Sequence, residues 1–185
     1  KRLGKIENAI FCYQKAISIQ PNYPDAHNNL GNIYREIGEM SKAVDCYEWA
    51  VAYKPEFFEA YNNLGIVLRD LNKIDLALKN FDKALSLNPN YIDAIFNLGL
   101  TYKDLGNKNL SIKYLENVIS LNPNHVNAYR ALSNLKKFQK NDLLISNMES
   151  LYLSNKLTQS GFIGICFALS KAYEDIGMLD KQFEF

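Results

Sequence analysis

Four prolines, Pro21, Pro55, Pro89 and Pro123, stand 34 residues apart, and no other feature constrains the fold of this chain as strongly. The flanks keep the same step: Ile19-Gln20-Pro21-Asn22-Tyr23, Tyr53-Lys54-Pro55-Glu56-Phe57, Leu87-Asn88-Pro89-Asn90-Tyr91 and Leu121-Asn122-Pro123-Asn124-His125. An independent marker repeats in register with them. Asn29-Leu30-Gly31, Asn63-Leu64-Gly65 and Asn97-Leu98-Gly99 are again 34 residues apart. A fixed period of this length means that one supersecondary unit is copied and stacked, each copy burying the apolar face of the next.

The pattern inside each period is helical. His27, Leu30 and Tyr34, then Tyr61, Leu64 and Leu68, then Ile95, Leu98 and Tyr102 follow an i, i+3, i+7 stripe, the spacing of one helix face. Gly38, Asn72 and Gly106 follow these stripes, and both residue types end helices by turning left-handed. A second helix then carries Ala43, Tyr47 and Ala50; Ala77, Phe81 and Ala84; or Ser111, Leu115 and Val118. The proline closes the unit, because the residue before it is driven out of the helical region. Small residues at Gly31, Gly65, Gly99, Ala43 and Ala77 allow the two helices of a pair to approach closely.

These residues resemble the tetratricopeptide repeat (TPR), and the resemblance covers roughly residues 1–138. It implies an all-α fold, a right-handed superhelical solenoid of antiparallel helix pairs. The units read as a partial repeat at 1–23 (a second helix, with Ala9, Tyr13 and Ala16), full repeats at 24–57, 58–91 and 92–125, a degenerate helical pair at 126–157, and degenerate, truncated TPR-like helices at 158–185. Tyr129 and Leu132 open the fourth full period, but Ser133 replaces its glycine. The pattern changes after Lys140. Asn141-Asp142 is a cap for a helix through Leu151 and Tyr152 that ends at Ser154-Asn155, and a longer helix runs from about Gln159 to Ile176 before Gly177. Beginning inside a repeat at Lys1 and stopping inside a helix at Phe185, the sequence reads as part of a longer protein.

Composition removes several functional classes. Lys and Arg number 21 against 20 Asp and Glu, a net charge of +1, so the clustered excess that draws nucleic acid or an acidic membrane is missing. The longest apolar stretch, Phe162 to Leu169, is far below the roughly 20 residues of a spanning helix. The polar start, Lys1-Arg2-Leu3-Gly4-Lys5, leads straight into a helical pattern and shows no signal peptide. His27 and His125 are the only histidines, Cys12, Cys46 and Cys166 the only cysteines, and none has metal-site spacing. No catalytic motif is present. The expectations are therefore no catalytic residue, no metal, no cofactor, reduced thiols and a cytoplasmic location.

What remains is a surface. Asn28, Asn32 and Arg35, spaced by four and three, share one side of the first helix, and Asn62, Ile66 and Arg69, then Phe96, Leu100 and Lys103, take the same places. Beside them run Asn29, Asn63 and Asn97, followed by Glu36, Asp70 and Asp104. The TPR resemblance puts first helices on the concave wall of the solenoid, which makes these rows the lining of a groove. An asparagine amide donates and accepts together, matching the backbone of an extended peptide whatever its sequence. Bracing of neighbouring helices is the competing role for the same amides.

The groove set is thus Asn28, Asn29, Asn32, Arg35, Asn62, Asn63, Arg69, Asp70, Asn97, Lys103 and Asp104, with a protein or peptide as ligand. The Asn-Leu-Gly repeats resemble the TPR region of O-linked N-acetylglucosamine transferases, where equivalent asparagines hold substrate peptides. Residues 148–152 and 167–177 resemble the junction of bacterial proteins that join TPR repeats to a sulfotransferase domain. That resemblance implies a non-catalytic TPR region of a larger transferase as the alternative to a free-standing scaffold. Uncapped solenoid ends also leave open end-to-end self-association.

Overall fold

The prolines mark helix ends. The computed structural model describes residues 2–154 and 156–182, so the expectations on Lys1, Asn155 and Phe185 lie outside the described residues. Helices α1 (Arg2–Ile19), α3 (Met40–Tyr53), α5 (Ile74–Leu87) and α7 (Lys108–Leu121) each stop two residues before Pro21, Pro55, Pro89 or Pro123. The intervening Lys54, Asn88 and Asn122 take φ near −135 to −138° with ψ of 85 to 93°, the conformation that a following proline ring imposes.

The alternate helices, α2 (Pro24–Glu36), α4 (Phe58–Asp70) and α6 (Ile92–Asp104), end by a different rule. Gly38, Asn72 and Gly106 have φ of +82, +58 and +72°. Each turn closes with a six-residue hydrogen bond from the following amide, Glu39 N–H to Tyr34 O, Lys73 N–H to Leu68 O and Asn107 N–H to Tyr102 O, all at 2.8 Å. This satisfies carbonyls that a helix end otherwise orphans.

The chain divides into two compact units, one up to Asn97 and one from Leu98, with the division inside α6. In the first, α1 packs on α2, α2 on α3, α3 on α4 and α4 on α5, while α2 and α4 also touch. The glycines explain the close approach within a pair. A Cβ on Gly31 would lie 2.7 Å from Cε1 of Tyr47, and one on Gly65 would lie 2.6 Å from Cε1 of Phe81. Both rings are fully buried, as are Ala43, Ala50, Ala77 and Ala84.

The second unit keeps less of the pattern. Gly99 faces Leu115 instead of a ring, 3.1 Å from where its Cβ would stand, and Ser111 replaces alanine by donating its hydroxyl to Gly99 O at 2.7 Å. Helix α8 (Val126–Ser133) has only eight residues. The change of pattern placed after Lys140 in the sequence begins at Ser133. Three contacts account for the early stop: Phe138 is buried at 3% exposure, its N–H donates to Asp175 Oδ2 at 3.1 Å, and Lys136 sits between Glu116 and Asp142 at 2.9 and 3.0 Å. These contacts hold 134–142 out of a helix that propensity alone would have continued.

Asp142 then caps α9 (Leu143–Leu153), accepting from Leu144 N–H, and Ser154 is its C-cap. Thr158 caps α10 (Gln159–Ile176), which ends at left-handed Gly177 before the short α11 (Leu179–Gln182). Helix α10 holds α8, α9 and α11 together. A Cβ on Gly164 would approach Val126 Cγ1 to 2.9 Å, so this glycine serves the α8–α10 contact. Among the described residues no strand occurs, and no helix is long and apolar enough to cross a membrane.

Candidate functional site

In the first unit the asparagines pair with one another across repeats. Asn63 Nδ2 donates to Asn28 Oδ1 at 3.0 Å, and Asn97 Nδ2 donates to Asn62 Oδ1 at 2.9 Å. The step is 35 residues, one more than the repeat, so the second asparagine of each pair reaches back to the first asparagine of the preceding unit. Asn28, Asn62 and Asn97 are buried, at 8, 3 and 9% exposure, and Asn63 is half-buried. A buried amide of this kind contributes about 0.5–1.5 kcal/mol net, and stranding its partner costs about 1–3 kcal/mol. The staircase ends in sequence terms at Phe96, which has no amide to accept a further bond.

The remaining candidates fall into three states. Asn32 Oδ1 accepts the Tyr47 hydroxyl at 2.8 Å, and Asn29 is half-buried with no side-chain hydrogen bond among the described residues. Burial pushes the Tyr47 phenol up to about 12, against a smaller downward pull from Arg35 and an upward one from Cys46. Arg69 sends Nη2 to Asp70 Oδ1 at 3.7 Å, but its Nη1 is buried without any acceptor. Lys103 and Asp104 are exposed in the last turn of α6, within the second unit, and no ion pair joins them among the described residues.

Neither histidine has a free-standing role. His27 is buried on α2, with Nε2 2.9 Å from Pro21 O and its ring against Tyr53. His125 caps α8, its Nδ1 accepting Ala128 N–H at 3.1 Å. Cys12, Cys46 and Cys166 are all free thiols. Burial, with Asp45 beside it, pushes Cys46 up to about 11, which keeps it protonated and unreactive at neutral pH. No group of three His, Cys, Asp or Glu side chains among the described residues could hold a metal ion.

One feature of the second unit escapes a reading of the sequence. A cleft of about 720 Å³ opens between the 122–127 turn, α8, the end of α9 and the start of α10, with Arg130 and Lys156 on its wall. Three separate chain segments build it. The only linear signal is that Arg130 stands 34 residues past Phe96, in the row of Asn28 and Asn62.

Comparison with known proteins bears on the whole chain. No curated protein sequence matches it. Among solved structures, PilF of Pseudomonas aeruginosa aligns with a TM-score of 0.73 at 21% identity, covering 98% of this chain and 82% of PilF. YrrB, a TPR protein with an unusual peptide-binding site, aligns at 0.68 and 21% identity, covering 93% and 91%. The first TPR of Spaghetti (RPAP3), solved with the HSP90 peptide SRMEEVD, aligns at 0.59 and 25% identity, covering 60% of this chain and 89% of its own. Family models for the TPR repeat match residues 1–38 and 31–68, and models for the tetratricopeptide repeat match 58–91 and 92–125. With helix pairs, left-handed turns and prolines in register, and with matches spanning 1–125 of its 185 residues, the chain belongs to the tetratricopeptide repeat family.

Proposed function

We propose that this chain is a protein-interaction scaffold that holds an extended peptide, or an extended segment of a partner protein, against the asparagine face of α2 and α4. The observation that carries the reading is Arg69. A guanidinium N–H buried without an acceptor costs about 1–3 kcal/mol, and the partly exposed Arg69 side chain sheds that cost by turning outward to a peptide carbonyl or carboxylate laid along this face. Asn29 offers a further unfilled amide in the neighbouring row of α2, and Arg35 and Asp70 supply charge for selectivity. Asn28, Asn62, Asn63 and Asn97 act mainly by fixing the helices that present these groups, with Asn32 held by Tyr47. Lys103 and Asp104 extend the same sequence rows. YrrB and the RPAP3 repeat, each peptide-binding in its own right, support the class of ligand.

The finer readings rest on the resemblances given above. The Asn-Leu-Gly rows favour a peptide held as O-linked N-acetylglucosamine transferases hold theirs. The 148–152 and 167–177 segments favour the second reading, a non-catalytic TPR region of a larger transferase, a sulfotransferase by that likeness. In either case this chain carries no catalysis, uses no nucleic-acid partner and works in the cytoplasm with its thiols reduced. End-to-end self-association belongs to the proposal only through exposed helix faces at the array ends.

Selection of peptides from a random library on the purified chain tests the reading. Bound peptides should lose about tenfold in affinity, about 1.4 kcal/mol, against Arg69→Met, and less against Asn29→Ala, while both variants melt as the parent does or higher. Selection of no peptide, or peptides indifferent to both changes, would refute it.

A further inference from the structure

The cleft of the second unit has a charge pattern that the rest of the unit does not share. Its wall carries Arg130 and Lys156, and no carboxylate lines it. Neither cation makes an ion pair among the described residues. The neighbouring acids are engaged elsewhere. Glu116 and Asp142 hold Lys136, Glu149 takes the Tyr173 hydroxyl and lies 3.6 Å from Lys181, and Glu174 and Asp175 hold Lys171. Helix dipoles do not decide the sign, because the N-terminal ends of α8 and α10 and the C-terminal ends of α7 and α9 all reach the cleft and offset one another. The side chains therefore set a positive field in a concave space that concentrates it.

The rest of the wall mixes apolar groups, Pro123, Val126, Leu151 and Leu157, with polar ones that can read a peptide backbone. Asn122, Asn124, Asn127 and Asn147 contribute amides, and serine and threonine hydroxyls lie between them. An amide can donate to a carbonyl and accept from an N–H; Asn122 Oδ1 already accepts Asn124 N–H at 3.0 Å, so Asn122 contributes mainly its donors. At about 720 Å³ the cleft lies within the range of roughly 300–1,000 Å³ of ligand sites, more than a lone inorganic anion fills.

We infer that this cleft is a second binding site, for a short acidic peptide segment, whose carboxylates meet Arg130 and Lys156 and whose backbone meets the asparagine amides. Arg130 presents a planar fork that takes a carboxylate with two parallel hydrogen bonds, and Lys156 supplies a point charge. The site is independent of the asparagine face of α2 and α4, and it stands or falls separately.

Fluorescence anisotropy with a labelled, end-capped hexaglutamate peptide tests the inference on the full chain, with the hexaglutamine peptide as neutral control. Hexaglutamate should bind more tightly than hexaglutamine, and the difference should depend on Arg130 and Lys156. Arg130→Glu and Lys156→Glu should each weaken binding by about tenfold or more and together abolish it. Raised salt should weaken it in the parent. Both side chains are exposed, so circular dichroism should show these variants folded and melting as the parent does. Arg69→Met should leave hexaglutamate affinity unchanged, separating this site from the one proposed above. Equal binding of the two peptides, or affinity that survives the double charge reversal, would overturn it. So would no binding up to about 1 mM, the weak limit of useful recognition. Preferential, reversal-sensitive capture of a single-stranded oligothymidine would also overturn it, by making the ligand a nucleic acid.

Discussion

Both units bury apolar cores, but the first closes its helix pairs with a glycine against a ring, where the second adds polar ties. Up to Asn97, each helix pair closes with a glycine against a buried ring, Gly31 on Tyr47 and Gly65 on Phe81, and the pairs are linked by matched asparagines. From Leu98 on, the same places hold Gly99 against Leu115, then Ser133, the last residue of a helix of only eight residues. The second unit compensates with Ser111 on Gly99, Phe138 N–H on Asp175, and Lys136 between two carboxylates. A repeat can thus lose its close-packing residues and remain folded, provided that charged and hydroxyl groups take over the joints. The charged joints among these respond to pH and salt, whereas a hydroxyl on a carbonyl or a glycine against a ring does not.

The sharpest way to test this contrast is to add one methyl group to each kind of joint. Gly65→Ala should cost about 3 kcal/mol, because a buried ring with no exposed edge must move. Gly99→Ala should cost about 1 kcal/mol, since its Cβ would stand 3.1 Å from the buried Leu115 and the neighbour has to give by only a few tenths of an ångström. Thermal melts of the two variants decide it, and equal losses would mean that the units are packed alike.

A second comparison separates bracing from unfilled amides within the first unit. Asn62→Ala removes the acceptor of a hydrogen bond that Asn97 donates in a buried place and should cost about 1–3 kcal/mol. Asn29→Ala removes no hydrogen bond among the described residues and should stay within about 0.5 kcal/mol. Denaturant unfolding of both would expose a wrong assignment if their order reversed.

A smaller effect than those of Gly65→Ala and Asn62→Ala is expected at Lys136. Burial pulls its ammonium down, but hydrogen bonds from Glu116 and Asp142 and their charges outweigh it, so its pKa stands above 10.5. A group raised in the folded state adds stability below its unfolded pKa, and the addition is lost as pH rises through the folded value. Lys136→Met should therefore cost about 0.5–1 kcal/mol near neutral pH, the range of a solvent-screened pair, and nothing above the folded pKa. A loss that persisted at alkaline pH would point to packing of the alkyl chain instead.

The parts legible in the sequence are those that act through the backbone. Proline and left-handed glycine or asparagine fix helix ends wherever they stand, so Pro55 and Gly38 could be read without any neighbour. The Asn28–Asn63 pair could not be read, because its 35-residue step depends on how two packed helices are rotated. The early end of α8 was hidden for a similar reason. Its cause is the burial of Phe138 and the pairing of Lys136 with residues 20 positions back and 6 ahead, and no local pattern records them. The cleft of Arg130 and Lys156 draws on three segments, and only the place of Arg130 in the repeat row hinted at it.

The central claim is that the asparagine face of α2 and α4 receives a peptide through groups the fold leaves unfilled. Side-chain NMR of the Arg and Asn N–H groups, recorded as a selected peptide is added to saturation, addresses it directly. The account predicts that Arg69 and Asn29 resonances shift with the peptide, while Asn63 and Asn97, already donating to Asn28 and Asn62, move far less. Saturable binding that left Arg69 and Asn29 unmoved would contradict it.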